Sequence, residues 1–271
     1  MKSRFPLLIT VLLLGYAFLY IPIISLMVYS FNESRLVTVW GGFSTKWYGA
    51  LLQNQPLLDA AWLSVKIAAI TATLAVILGT LASLALIRFR GRRGAGSLSV
   101  MVAAPLVMPE VITGLSLLLL FVTMESFLGW PAGRGQTTII LAHVTFAMAY
   151  VTVIVQSRLA SMDKSLEEAA MDLGAKPLKV FFAVTLPIIS PALLAGWLLA
   201  FTLSMDDLVV ANFVSGPGAT TLPMVVYSSV RLGVSPQINA LATIIVGIVS
   251  TAVLIAGIVM YRQEKARQRR D

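Results

Sequence analysis

LEEAAMDLGAKPLKVFFAVTLP, residues 166 to 187, is the longest charged and turn-punctuated interruption in an otherwise apolar chain. Its local pattern is that of two short helices joined by a tight turn. Ser165 followed three residues later by Glu168 reads as a capping box, and Leu166, Ala169, Ala170 and Leu173 fall on one face of the helix it would start. Gly174 supplies the stop. Pro177 suits the first turn of a second helix, which should run through Phe181 and Phe182 until Pro187 disturbs it. Four acidic residues (Asp163, Glu167, Glu168, Asp172) balance four basic ones (Arg158, Lys164, Lys176, Lys179). A neutral, mixed surface of this kind suits a protein groove better than an anionic lipid surface.

Moving outward, the 271 residues are 58% hydrophobic and 12% charged, with a mean hydropathy of +0.89. One soluble core could not hide that much apolar surface, so the bilayer must be the solvent. The formal charge of +8 is read as membrane orientation, because no soluble basic face is available to nucleic acid. With no Cys and a single His, His143, disulfide frameworks, thiol nucleophiles and Cys/His zinc sites are set aside, and no metal site or cofactor is expected.

A spanning helix needs about 20 mostly apolar residues. Six segments qualify: near 7 to 31, 62 to 87, 98 to 124, 137 to 157, 184 to 205 and 239 to 261. The expected fold is therefore all-α, a polytopic transmembrane helical bundle of six spans. The first run is too long for a signal-peptide core and lacks a small-residue cleavage site, so it should stay attached as an anchor. Residues 1–60 are expected to form an N-terminal helix and an external loop, 61–261 a membrane core that includes the loop 158–183, and 262–271 a basic tail.

Basic residues set the orientation. Lys2 and Arg4, the cluster Arg88, Arg90, Arg92 and Arg93, the basic residues of the opening loop, and Arg262, Lys265, Arg267, Arg269 and Arg270 all fall on one side of the six spans. Only Arg35, Lys46, Arg134 and Arg231 fall on the other, with Lys66 near the outer end of the second span. By the positive-inside rule both termini and the loop are cytoplasmic. Trp40, Trp47, Trp62 and Trp130 lie at or beyond the outer ends of spans, where amphipathic rings prefer to sit.

Glu110 is the first residue that membrane solvation does not explain. Counted from Leu98 it lies about 18 Å along a helix, near mid-bilayer. A carboxylate there costs at least about 2.5 kcal/mol unless it faces a polar path, finds a partner or is protonated. Pro105, Pro109 and Gly114 surround it, so the helix should be broken where the charge sits, as helices lining a water-filled pathway are. The other reading is a protonated or hydrogen-bonded structural Glu. Asp206 and Asp207 lie about 33 Å from the start of their span, near its outer rim. They fit a pathway mouth or a helix end equally. Beyond them Gly216–Gly218 breaks the backbone, and a short outer helix is expected over 222–231. His143 has no second His or carboxylate near it in sequence; it reads as a packing residue and is assigned no chemistry.

None of the seven Lys residues follows Gly, so the phosphate-cradling GxxxxGK[ST] loop is absent and ATP cannot be bound by that route. G-x-S-x-G and H-E-x-x-H are absent too. No catalytic residues are assigned, and a midplane carboxylate among broken helices fits solute movement better than bond chemistry.

The opening stretch resembles the EAA loop of bacterial ABC-importer permeases: Glu168, Ala169, Ala170, then Gly174, then Leu186-Pro187. The resemblance implies a type I ABC importer permease whose cytosolic loop, with Glu168, Ala169, Ala170, Gly174, Ala175 and Pro177, couples to a separate ATPase. It extends over segments 20–48, 104–121, 167–175 and 201–243, which are similar to polyamine importer permeases, nearest the putrescine branch. The family often carries Pro-Asp where this chain has Pro109-Glu110. Implied partners are a second, homologous permease, two ATPase subunits and a periplasmic polyamine-binding protein, in a bacterial inner membrane. Glu110, Asp206 and Asp207 would then line a passage for a diamine, helped by cation-π contacts. The rivals are a secondary transporter driven by protons or sodium, an importer permease for another small solute, and a structural subunit that only recruits cytosolic proteins.

Overall fold

The computed structural model describes residues 4–36, 39–89, 91–232 and 235–267, and every element among them is helical apart from one isolated bridge, Asn32 to Phe43. In chain order the helices are α1 (Arg4–Tyr29), α2 (Lys46–Leu52), α3 (Gln55–Arg88), α4 (Ala95–Val107), α5 (Glu110–Leu128), α6 (Gln136–Ala160), α7 (Ser165–Asp172) and α8 (Pro177–Val180). A π-helical turn, Phe181–Thr185, leads into α9 (Leu186–Asp206), followed by α10 (Val209–Val214), α11 (Leu222–Leu232) and α12 (Pro236–Arg267). Five stretches are long and apolar enough to cross a membrane: Leu7–Tyr29, Gln55–Arg88, Glu110–Leu128, Gln136–Ala160 and Pro177–Asp206. The sixth expected span falls on α12. The chain forms two compact units, one from residues 1–58 and 226–271 and the other from Asp59–Val225.

In the first unit α12 packs on α1 and α2. Asn54 Nδ2 donates to Gln237 Oε1 at 2.6 Å. The loop after α1 is organised by one buried side chain. Asn32 Oδ1 accepts the Gly41 N–H at 2.8 Å, its Nδ2 donates to the Val39 carbonyl at 2.8 Å, and its own carbonyl accepts the Trp47 indole N–H at 2.6 Å. These bonds satisfy polar groups that would otherwise be buried without partners. The α1 surface is the reverse: Leu7, Leu14 and Phe18 are 63%, 65% and 80% exposed, as apolar side chains can be where lipid replaces water.

The second unit is built around α6. Its residues Ala147, Val151 and Val155 join Ala72 and Ala75 of α3 and Ile189 and Ala200 of α9 in one buried cluster. Lipid is as apolar as leucine, so such helices associate through close packing rather than the hydrophobic effect. Small residues permit it. A Cβ on Gly79 of α3 would lie 2.9 Å from Val151 Cγ1, and one on Gly196 of α9 would lie 3.2 Å from the same atom. Val151 is therefore clasped between two glycines, and Ser83 Oγ bonds the Thr152 carbonyl across the α3–α6 seam at 2.9 Å. A second cluster, including Ile67, Phe121, Ile139 and Val210, ties α10 to α3, α5 and α6.

One sequence expectation is met here and two are corrected. The segment 98–124 is not one helix: α4 stops at Val107 and α5 starts at Glu110, because Pro109 offers no N–H to continue the ladder and holds the preceding residue extended. The break falls at the charge, where it was expected. The Ser165–Glu168 capping box does not form: Ser165 is already the first residue of α7, and its N–H bonds Asp163 Oδ1 at 2.9 Å. The second helix does not end at Pro187. The π turn widens the backbone ahead of Pro187, which sits in the first turn of α9 where its missing N–H is tolerated.

Candidate functional site

The loop between α6 and α9 is built on a helix with no buried residue. At its start, bonds from the Ser165 backbone and side chain hold the Asp163 carboxyl below the usual carboxylate range. At its end Gly174 adopts φ +84°. The Gly174 N–H bonds the Met171 carbonyl at 2.8 Å and the Ala175 N–H bonds the Ala170 carbonyl at 3.1 Å, the paired closure that a left-handed glycine permits. Pro177 opens α8 as expected. Glu168, Ala169 and Gly174 are exposed. Leu173 and Leu178 beside them are 90% and 75% exposed. Glu167, one position before Glu168, behaves differently: its carboxylate pairs with Arg88 Nη2 of α3 at 3.2 Å and accepts the hydroxyl of Thr185 in the π turn. Sequence reasoning missed this brace, since Arg88 lies 79 residues away.

The second constellation is a cavity of about 430 Å³ where two helix breaks meet. The Met108-Pro109 break contributes Glu110, in the first turn of α5, and the α9–α10 break contributes Asp206 and Asp207; Phe146, Tyr150 and Thr113 line the remaining wall. Gly114 lets the breaks approach, for a Cβ there would lie 2.6 Å from the Phe213 ring of α10. Counting along separate helices put Glu110 and the Asp pair about 15 Å apart in depth. The structure instead brings them to one cavity. The helical stretch from Pro177 to Asp206 has 30 residues, about 45 Å, so it has room to start outside a 30 Å hydrocarbon core and stop inside it.

His143 also proves to have a carboxylate neighbour. Its Nε2 lies 3.1 Å from Asp207 Oδ2 and its Nδ1 2.7 Å from Ser204 Oγ. Asp207 Oδ2 further accepts the Ala211 N–H at 2.7 Å. The only cue in the sequence was a polar residue in an apolar run, which does not name a partner 64 positions away. Among the described residues no group of three or more His, Cys, Asp or Glu could hold a metal ion.

This arrangement of helices and exposed loop has known relatives. The family described as "Binding-protein-dependent transport system inner membrane component" matches residues 75–269. The chain belongs to that family. As a member, the permease is 61% identical over 266 residues to the putrescine transport system permease protein PotI of Escherichia coli (strain K12), covering 98% of this chain and 95% of that one. It is 43% identical over 249 residues to the spermidine/putrescine transport system permease protein PotC of the same strain, covering 92% and 91%. Its fold is shared with a chain of a bacterial ABC transporter involved in the import of the acidic polysaccharide alginate, with a TM-score of 0.73 at 16% identity over 97% of the permease and 96% of that chain. A chain of the MetNI methionine ABC transporter gives 0.59 at 17% identity, over 76% and 94%. The fold is thus that of type I ABC importer permeases.

Proposed function

We propose that the chain is the permease subunit of an ATP-driven importer that passes a polyamine, most simply putrescine, from a periplasmic binding protein to the cytoplasm. The cavity carries this reading. Glu110 and Asp206 sit at helix breaks beside Tyr150 and Phe146, a combination of anionic oxygen and ring faces suited to ammonium groups. Likeness to PotI and PotC supports the same substrate class. Few such groups are needed, because the cation must also leave.

The α7 loop is the coupling element in this proposal. Glu168, Ala169, Ala170, Gly174, Ala175 and Pro177 form a knob, exposed except at the half-buried Ala170 and Ala175, with Leu173 and Leu178 on its surface, a shape suited to a groove on a cytosolic ATPase. Assembly would comprise a second permease, two ATPase subunits and a periplasmic binding protein, with both termini and the α7 loop cytoplasmic. Hydrolysis would take place in the ATPase subunits.

Affinity purification from native membranes tests the assembly. It should recover a second permease and an ATPase whose activity rises with putrescine-loaded binding protein; recovery of the chain alone, or ATPase activity indifferent to putrescine, overturns the reading. A proton-coupled carrier would use the His143–Asp207 pair instead. It predicts uptake that collapses with an uncoupler while ATP is held constant.

A further inference from the structure

Asp206 and Asp207 are consecutive and both line the cavity, yet they differ in exposure and bonding. Asp207 follows the last residue of α9 with an extended backbone (φ −66°, ψ 125°). Its side chain is only 6% exposed, and that of His143 only 1%. Both Asp207 oxygens are engaged: Oδ1 accepts the Val210 N–H at 3.3 Å, and Oδ2 accepts the Ala211 N–H at 2.7 Å while facing His143 Nε2 at 3.1 Å. His143 is anchored on its far side by Ser204 Oγ at 2.7 Å. The chain thereby closes a loop from the last turn of α9, through α6, to the first turn of α10. Asp206 takes no part in this network; it is exposed and lines the cavity.

We infer that His143 is a positioning residue which, with Ser204, locks Asp207 as the cap of α10 and thereby aims Asp206 into the cavity, leaving Glu110 and Asp206 as the two carboxylates of this chain that meet a diammonium substrate. This rests on the function proposed above and narrows it, since Asp207 becomes part of the frame rather than of the passage. Physically, a carboxylate whose lone pairs are already taken by two backbone N–H groups and an imidazole has little left for a passing cation. A break in a membrane helix also needs its freed backbone groups satisfied, which Asp207 does for α10.

The two acids then differ in what each can tolerate. Asp206 needs its charge but not its length; Asp207 needs its length and acceptor oxygen but not its full charge. In the assembled complex reconstituted in proteoliposomes, Asp206→Asn should raise the KM for putrescine about tenfold or more without lowering the melting temperature, and Asp206→Glu should restore it. Asp207→Asn should leave the KM within about twofold, whereas Asp207→Glu should lower the melting temperature. His143→Ala should raise the KM several-fold in the wild-type background and not further in the Asp206→Asn background, as expected when one residue acts through the other. If His143→Ala does not assemble, His143→Gln, which keeps one donor for Asp207, replaces it in the same cycle. Equal KM effects of His143 substitution in both backgrounds, or an Asp207→Asn KM defect matching that of Asp206→Asn, overturns the inference. Should the wild-type complex move no putrescine, the proposed substrate fails, and the melting arms alone decide: a loss with Asp207→Glu but not Asp206→Asn supports the lock, and equal behaviour of the two sinks it.

Discussion

Glu167 shows how much one position can separate. Its neighbour Glu168 matches the family motif and is exposed, while Glu167 is bonded to Arg88 and to Thr185, which is itself fully buried. The Arg88 side chain is 48% exposed, and an exposed pair of that kind is worth below about 1 kcal/mol. The Thr185 bond matters more, since orphaning a buried hydroxyl costs about 1–3 kcal/mol. Glu167→Ala should therefore lower the melting temperature of the purified permease clearly, and Arg88→Ala only slightly. Equal losses would show that the pair, not the buried bond, carries the brace. Nothing in the local sequence separates Glu167 from Glu168, because what distinguishes them is contact with residues brought in by α3 and the π turn.

Among the elements, α7 depends on its two ends. Asp163 stays ionised to lower pH than an ordinary Asp because Ser165 bonds its charged form. A depressed carboxyl stabilises above its unfolded pKa, and that contribution fades as pH falls through the folded value. Amide exchange at the start of α7, corrected for intrinsic rates, should speed up on the acid side in wild type; Asp163→Asn should remove that pH dependence. At the other end, Gly174→Ala would place a Cβ at φ +84° with no atom within 4 Å beyond the adjoining residues. The cost is about 1–2 kcal/mol of backbone strain, enough to misalign the knob without unfolding the span. Normal assembly and full-rate transport by Gly174→Ala would show α7 to be a connector only. Between α3 and α6 the constraint is volume: a Cβ on Gly79 would also lie 3.0 Å from Val151 Cβ and 3.1 Å from the Met148 carbonyl oxygen, so Gly79→Ala should destabilise by about 1–3 kcal/mol. An unchanged thermal melt would mean that the Gly79 contact does not limit packing.

For the molecule as a whole, membrane helices, the broken third segment, the Gly174 stop and the Pro177 start were legible because each follows from local composition or backbone chemistry. Short α10 was not, because six residues of LVVANFV carry no period of their own and the helix forms on the Asp207 cap. Nor was the meeting of Glu110 with Asp206. Counting residues along two helices assumes that both enter the membrane at the same level, and the long α8–α9 stretch does not require it. His143 was read as a packing residue, and it is buried, but its partner Asp207 comes from a helix break that only tertiary packing brings near. The cavity, then, is a product of assembly between elements, while the α7 knob is largely a product of its own sequence.

The most direct test of the acidic cavity as a polyamine passage is ATP-driven uptake of radiolabelled putrescine by the reconstituted complex, comparing wild type with Glu110→Gln at equal membrane abundance. Removing one of two facing charges should cut uptake at low substrate concentration about tenfold or more, corresponding to about 1.4 kcal/mol. Uptake by Glu110→Gln indistinguishable from wild type would contradict it.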